Sequence, residues 1–251
     1  MIPGVLQVEP VTGIGDVRAG DDLAAIIAAA VTTPPGAGDV LVVAQKIVSK
    51  AEGRIVRLAD VVVSPRAADL AETTGKDPRL VELILSEATE VVRTAPNLVI
   101  VRHRLGLVMA NAGIDQSNVG PDADEALLLP IDPDGSATRL RDALGARWGA
   151  APAVVISDSF GRPWRMGTVN MAIGAAGLPS LIDLRGQADR FGRTLRASEV
   201  AFADAICAAA GLAMGEGAEG IPAVIVRGLT WSAPDQDAKA LVRPLAQDLF
   251  R

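Results

Sequence analysis

Three stretches of the chain carry side chains able to do chemistry on an anion. In Ser157-Asp158-Ser159-Phe160-Gly161-Arg162-Pro163-Trp164-Arg165 a carboxylate stands beside a hydroxyl, the smallest unit that holds a hard divalent cation. Arg162 and Arg165 follow closely enough to clamp a phosphate or carboxylate. Ala110-Asn111-Ala112-Gly113-Ile114-Asp115-Gln116-Ser117-Asn118 supplies a second candidate cation ligand in Asp115. It also supplies, in Asn118, a paired donor and acceptor suited to a base or sugar edge. Turn formation alone would also account for the Asn, Gly, Asp and Ser of this stretch. Gln45-Lys46-Ile47-Val48-Ser49-Lys50 holds two of the four lysines, each able to reach a phosphate as a point charge or to stand as ordinary surface charge. No GxxxxGK[ST] sequence occurs. Gly215-Glu216-Gly217-Ala218-Glu219-Gly220 spells GxGxxG, but it follows a helical pattern and precedes a strand pattern, the reverse of a dinucleotide-binding turn. It reads as a helix-to-strand connection or a loop that touches a ligand.

Composition narrows these options. With one histidine and one cysteine among 251 residues, a disulfide within the chain, a cysteine-rich zinc site and a histidine cluster are excluded. Any metal must be held mainly by oxygen, which favours Mg²⁺, Mn²⁺ or Ca²⁺. The formal charge is -6, which argues against a nucleic acid or an anionic membrane as partner. Six arginines against three aspartates nevertheless make residues 157–196 locally positive, as an anionic small substrate requires; a solvated, ion-paired surface would look the same. No apolar run reaches the length of a bilayer span and no leader pattern opens the chain, so a cytoplasmic location is expected.

The elements that must position these groups can be sketched from periodicity. Asp21-Asp22 leads a helix over 23–30. The run over 39–44 is apolar on both faces, as in a buried strand, and stops at Gln45-Lys46. Asp77-Pro78 caps a helix expected to continue to about Val92. Residues 97–101 and 107–110 form a hairpin with His103 at the surface of its turn. Residues 130–136 are a turn-rich connection, 138–148 a helix ended by Gly149, and 153–156 a buried strand. Ser198 is expected to cap a helix running to about Met214, with Cys207 in it as a small buried hydrophobe. A strand over 223–226 and a helical tail over 234–250, interrupted at Pro244, complete the chain. Neighbouring strand pairs with irregularly interspersed helices predict an α+β fold with mainly antiparallel sheets.

Taken together and in order, Gly20-Asp21-Asp22-Leu23, the stretch from Val42 through Gln45-Lys46 and Lys50 to Gly53, the Asn111 to Asn118 loop and the Asp158 stretch closely resemble the coenzyme F420:L-glutamate ligase family, or F420-0:γ-glutamyl ligases. Ile173-Gly174-Ala175-Ala176-Gly177, Asp183-Leu184-Arg185-Gly186 and Met214-Gly215 extend the likeness over essentially the whole chain. The resemblance implies a single module over 1–251, divisible into two discontinuous subdomains with boundaries near 75 and 155. It also implies the standalone form, without the C-terminal flavin reductase domain of some relatives, and an intertwined homodimer. The implied activity is GTP-dependent addition of L-glutamate to F420-0, then γ-glutamyl extension, with two Mg²⁺ or Mn²⁺ ions and K⁺. Residue by residue, it implies Asp115, Asp158, Ser159 and Glu216 as metal ligands, with Glu216 where a glutamine is usual. Asn118, Lys50 and Ile14-Gly15-Asp16-Val17 match nucleotide contacts, and Gly15 replaces a usual proline. Met214, Gly215, Glu216, Gly217, Ala218, Glu219, Gly220 and Ile221 take the nucleotide-loop position, and Gln45-Lys46 stand where a Ser/Thr-bearing pair is frequent. Asp115, Asp158, Arg162 and Arg165 are the expected catalytic set. A ligase of the same class with another acceptor acid, and a catalytically silent nucleotide-binding homologue, stay open on the sequence.

Overall fold

A computed structural model describes residues 4–119 and 124–249. From the N-terminus, strand β1 (Gln7–Pro10) is followed by helix α1 (Leu23–Ala30), whose first turn is capped by the Asp22 carboxylate accepting from the Ala25 amide. Strand β2 (Val40–Ala44) passes directly into α2 (Gln45–Ala51). A short strand β3 (Ile55–Arg57) precedes α3 (Pro65–Thr74) and α4 (Pro78–Glu87), each begun by a capping side chain and a proline in the first turn. Then come β4 (Ala88–Ala95), β5 (Leu98–His103), β6 (Val108–Ala110) and β7 (Glu125–Leu127). Helix α5 (Pro133–Trp148) leads to the long hairpin of β8 (Ala153–Arg162) and β9 (Arg165–Ala176). Strands β10 (Leu181–Asp183) and β11 (Glu199–Ala201), helix α6 (Phe202–Met214) and β12 (Ala223–Arg227) follow.

The main sheet has the order β1-β12-β2-β8-β9. Its one parallel pair is β2 with β8; the other pairings are antiparallel. The expected α+β fold with mostly antiparallel sheets is therefore what the chain adopts. Because the central strands are covered on both sides, alternate residues feed two cores. Leu41, Val43, Val154 and Ile156 pack with α1, α2 and α5, while Val40, Val42, Val155, Val224 and Val226 pack with α6. Helix α5 lies close on the sheet: a Cβ at Gly174 would come within 2.3 Å of the Pro133 carbonyl oxygen. A third core joins Leu80, Leu83 and Ile84 of α4 to Val99 and Val101 of the β4-β5-β6 sheet. It is tied to the rest by the antiparallel β3-β7 pair. Among the described residues no helix is long and apolar enough to cross a membrane.

Several boundaries differ from the sequence expectation. The helix expected to reach Val92 ends at Glu87, because the stretch from Ala88 to Ala95, rich in valine and threonine, pairs with β5. The strand expected over 153–156 runs on to Arg162, since β9 supplies a partner for each of residues 157–162. Helix α5 starts at Pro133, inside the expected connection, and Asp132 is its cap. Ala201, not Ser198, precedes α6, because residues 199–201 are drawn into β11. The tail expected as a helix over 234–250 holds only two 3₁₀ turns, Ala238–Leu241 and Leu245–Gln247, and Phe250 lies outside the described residues. His103 is fully buried, not at the surface: Nδ1 accepts from the Leu105 amide, and Nε2 faces Glu87 Oε2 at 3.2 Å.

Candidate functional site

The site follows from the sheet order. Parallel strands β2 and β8 end on the same side, and Ala44 is registered with Ser157. Chain leaving β2 enters α2, so Gln45, Lys46 and Lys50 gather at that edge. Asp158 and Ser159 run on past the end of β2, supported by β9 alone. Strand β12, antiparallel to β2, begins at this edge, so the 214–222 loop that feeds it arches over the same place; the Ala44 amide donates to the Pro222 carbonyl. Polar groups outside the carboxyl ends of adjacent parallel strands are a recurrent place for ligands.

A cavity of about 660 Å³ opens here, a size suited to a nucleotide or similar ligand. It is lined by Ile14, Gly15, Asp16, Val17, Gln45, Lys46, Lys50, Asn118, Asp158 and Ser159 and by the whole loop from Met214 to Ile221. Residues from six separate segments, counting Asn170 of β9, thus meet at one cavity. Asp115 stands behind it, reached through Gln45 and Lys46: Gln45 Nε2 donates to Asp115 Oδ2 at 2.9 Å, and Lys46 Nζ lies 3.5 Å from Oδ1. Arg162 and Arg165 are not part of the lining. They flank the turn of the β8-β9 hairpin, where the Arg162 guanidinium donates to the Met166 carbonyl. Of the other arginines in the locally positive window, Arg185 is committed to Asp183 and Glu199. Asn170 and Pro222 also line the cavity and were not singled out from the sequence. Asn170, a lone amide in the apolar run of β9, was the available signal.

Across the cavity, Ser159 Oγ donates to Glu216 Oε1 at 2.6 Å, joining β8 to the glycine loop. Asn118, held in the left-handed conformation at φ 56°, places Nδ2 3.4 Å from the Gly217 carbonyl oxygen. The carboxylates crowd one another. Burial pushes the Asp158 carboxyl up to about 8, helped by the negative charges of Asp115 and Glu216. Burial likewise raises Asp115, against the pull of Lys46 and Gln45. Three carboxylates thus crowd around the Lys46 ammonium, an excess of negative charge that a divalent cation would answer. All candidate donors are hard oxygens, which suits Mg²⁺ or Mn²⁺. Among the described residues, no three such side chains close on a single metal position.

Comparison with known proteins gives a consistent result. The family model for F420-0:gamma-glutamyl ligase matches residues 13–228. A coenzyme F420:L-glutamate ligase from Methanothermobacter thermautotrophicus is 47% identical over 96% of this chain and 97% of its own length. One from Methanopyrus kandleri is 46% identical over 98% of each chain. One from Archaeoglobus fulgidus is 42% identical over 98% of this chain and 96% of its own.

Proposed function

Because this chain belongs to the F420-0:gamma-glutamyl ligase family, we propose that it joins L-glutamate to the phospholactyl carboxylate of coenzyme F420-0 with cleavage of GTP, then extends the product through γ-glutamyl linkages. The observation that carries this reading is the convergence of Asp158, Ser159, Lys46, Lys50 and the glycine loop on one nucleotide-sized cavity. A free carboxylate does not acylate an amine, since oxide is too poor a leaving group. In the proposed sequence an acceptor carboxylate oxygen attacks the γ-phosphorus of GTP, and GDP leaves. The glutamate amine then attacks the acyl phosphate carbon, inorganic phosphate leaves, and the nitrogen loses a proton. Such a path asks for positioning and charge neutralisation instead of a protein nucleophile. That suits a site with neither cysteine nor histidine in its lining.

Lys46 and Lys50 would pair with phosphate oxygens, the loop from Gly215 to Gly220 would close over them, and Asn118 would contact the base. Asp115, Asp158, Ser159 and Glu216 would hold two Mg²⁺ or Mn²⁺ ions, with K⁺ as a further counter-ion. Bound there, such ions neutralise the oxygens of the transferring phosphoryl group. Arg162, at the end of the strand that bears Asp158, and Arg165, the first residue of β9, would hold the acceptor's anionic groups. A homodimer belongs to the same proposal, supported by the exposed Trp164 and Met166 at the hairpin tip, 82% and 97% accessible.

Incubation of the protein with F420-0, L-glutamate, GTP and Mn²⁺, followed by mass spectrometry, tests the reading. Products heavier by whole glutamyl units, dependent on GTP and not formed with ATP, are expected. Unchanged F420-0 under these conditions would overturn it.

A further inference from the structure

Two fully enclosed polar side chains stand at the wall of the cavity, Gln45 in its lining and Ser49 behind it. Gln45 is 1% exposed and Ser49 is 0% exposed. Gln45 opens α2, and Ser49, four residues on, shares its helix face. Ser49 Oγ donates to Gln45 Oε1 at 2.9 Å, and Gln45 Nε2 donates to Asp115 Oδ2 at 2.9 Å. An amide has two ends of similar size and opposite polarity, so burial alone does not choose between them. Turned over, Gln45 would aim its carbonyl at a carboxylate. The carboxylate, which only accepts, draws the N–H end toward Asp115, and the Ser49 hydroxyl holds that orientation by donating to Oε1.

The Asp115 oxygens are therefore unequal. Oδ2 is tied by a short bond from a buried donor. Oδ1 faces Lys46 at 3.5 Å, and that ammonium also reaches the Ser117 carbonyl oxygen at 3.2 Å and its hydroxyl at 3.3 Å. The Asp115 backbone is fixed as well, exchanging two hydrogen bonds with Leu127. We propose that Gln45, oriented by Ser49, is a positioning residue that locks the Asp115 carboxylate through Oδ2 and presents Oδ1 to a cation. This rests on the reading of Asp115 as a divalent-cation ligand. Groups that hydrogen-bond a metal ligand from behind typically change affinity tenfold or more when removed.

Mn²⁺ binding to the full-length protein without nucleotide, followed by the electron paramagnetic resonance of free Mn²⁺, separates the possibilities. Gln45→Met keeps the side chain's length and bulk while removing both polar ends; it is expected to weaken Mn²⁺ binding about tenfold. Ser49→Ala, which lets the amide turn, is expected to weaken it several-fold. In turnover, the KM for Mn²⁺ should rise by a larger factor than kcat falls. Gln45→Met added to Asp115→Asn should weaken binding no further than Asp115→Asn does alone. If Asp115→Asn loses Mn²⁺ while Gln45→Met and Ser49→Ala bind it normally, the positioning role is overturned and the cation reading stands. If Asp115→Asn itself binds Mn²⁺ normally, both fall. Should Gln45→Met not fold, Ser49→Ala decides, because it removes one oxygen and leaves the amide in place.

Discussion

Glu87, at the end of α4, and Asp158, within β8, are both largely enclosed carboxylates, and their surroundings drive them in opposite directions. Burial alone would raise Glu87, but a bond from His103 and the charges of Arg54 and Arg104 outweigh it and hold the group down at about 2. Arg54 Nη2 donates at 2.8 Å and Arg104 Nε at 3.0 Å. Those arginines also donate to the Leu129, Pro130 and Ile131 carbonyls, so the Glu87 cluster ties α4 and β5 to the chain entering α5. At Asp158 the compensation is too weak: the Ser159 amide and the Lys46 charge pull the carboxyl down, but burial and the charges of Asp115 and Glu216 push it up to about 8. A carboxylate with its counter-charges built in is architecture. One crowded by its own kind is stable as an anion only when something else supplies the positive charge.

The largest expected effect lies on the Glu87 side. Glu87→Ala leaves two arginines and a buried imidazole without their anion, and removing one partner of such a cluster typically costs about 3–5 kcal/mol. Urea denaturation should show that loss, with turnover per folded molecule unchanged. Asp158→Asn should do the reverse. Turnover should fall about a hundredfold, the scale of losing one electrostatic contact to a transition state, while the metal-free melting temperature holds or rises. Near-normal turnover in this variant would erase the contrast between the two carboxylates.

Acidity sharpens the same comparison. The folded Glu87 pKa lies below its ordinary 4.5, so its contribution to stability is present above pH 4.5 and is lost as pH falls toward 2. The folded Asp158 pKa lies above its ordinary 3.8, so its contribution is present below pH 3.8 and is lost as pH rises through 8. Melting of the metal-free protein should therefore fall off at both ends. Glu87→Gln should remove the Glu87 part of the acid limb and Asp158→Asn the Asp158 part of the neutral-to-alkaline limb. The smallest effect is expected at Asn118. Asn118→Gly keeps the left-handed backbone accessible and removes one amide contact, which should raise the KM for GTP about tenfold.

Strand β2 was legible because it is covered on both faces, and a continuous apolar run is the signature of that burial. Helix α5 is longer than its apolar periodicity suggests, and its start at Asp132-Pro133 repeats the cap-and-proline signal of Asp77-Pro78 at α4. Strand β4 was missed because its apolar residues prolong the helical spacing of α4, while its partner β5 is the later arm of a hairpin. Strand β9 was missed because its turn carries Trp164 at φ 57°, where glycine or asparagine is the usual mark. His103 was misplaced because Glu87, which faces it inside the protein, lies 16 residues earlier. At the site, Asp115, Asp158, Ser159 and the lysines could be picked out by residue type. The N-terminal stretch 14–17 and the glycine loop could not be brought to them by pattern alone, because only the insertion of β12 between β1 and β2 does so.

That insertion also sets the order of events while the chain is being made. The α3-α4 pair and the β4-β5-β6 sheet lie within residues 65–110 and their core reaches only from Leu58 to Leu128, so they can assemble while most of the C-terminal half is still unsynthesised. Strand β1 pairs in its sheet only with β12, whose first residue comes more than two hundred positions later. Until that strand emerges, β1 and one side of β2 are exposed edges. The ligand cavity is then the last part of the molecule to exist, and a nascent chain stalled before Ala223 would expose those edges to its neighbours on the polysome.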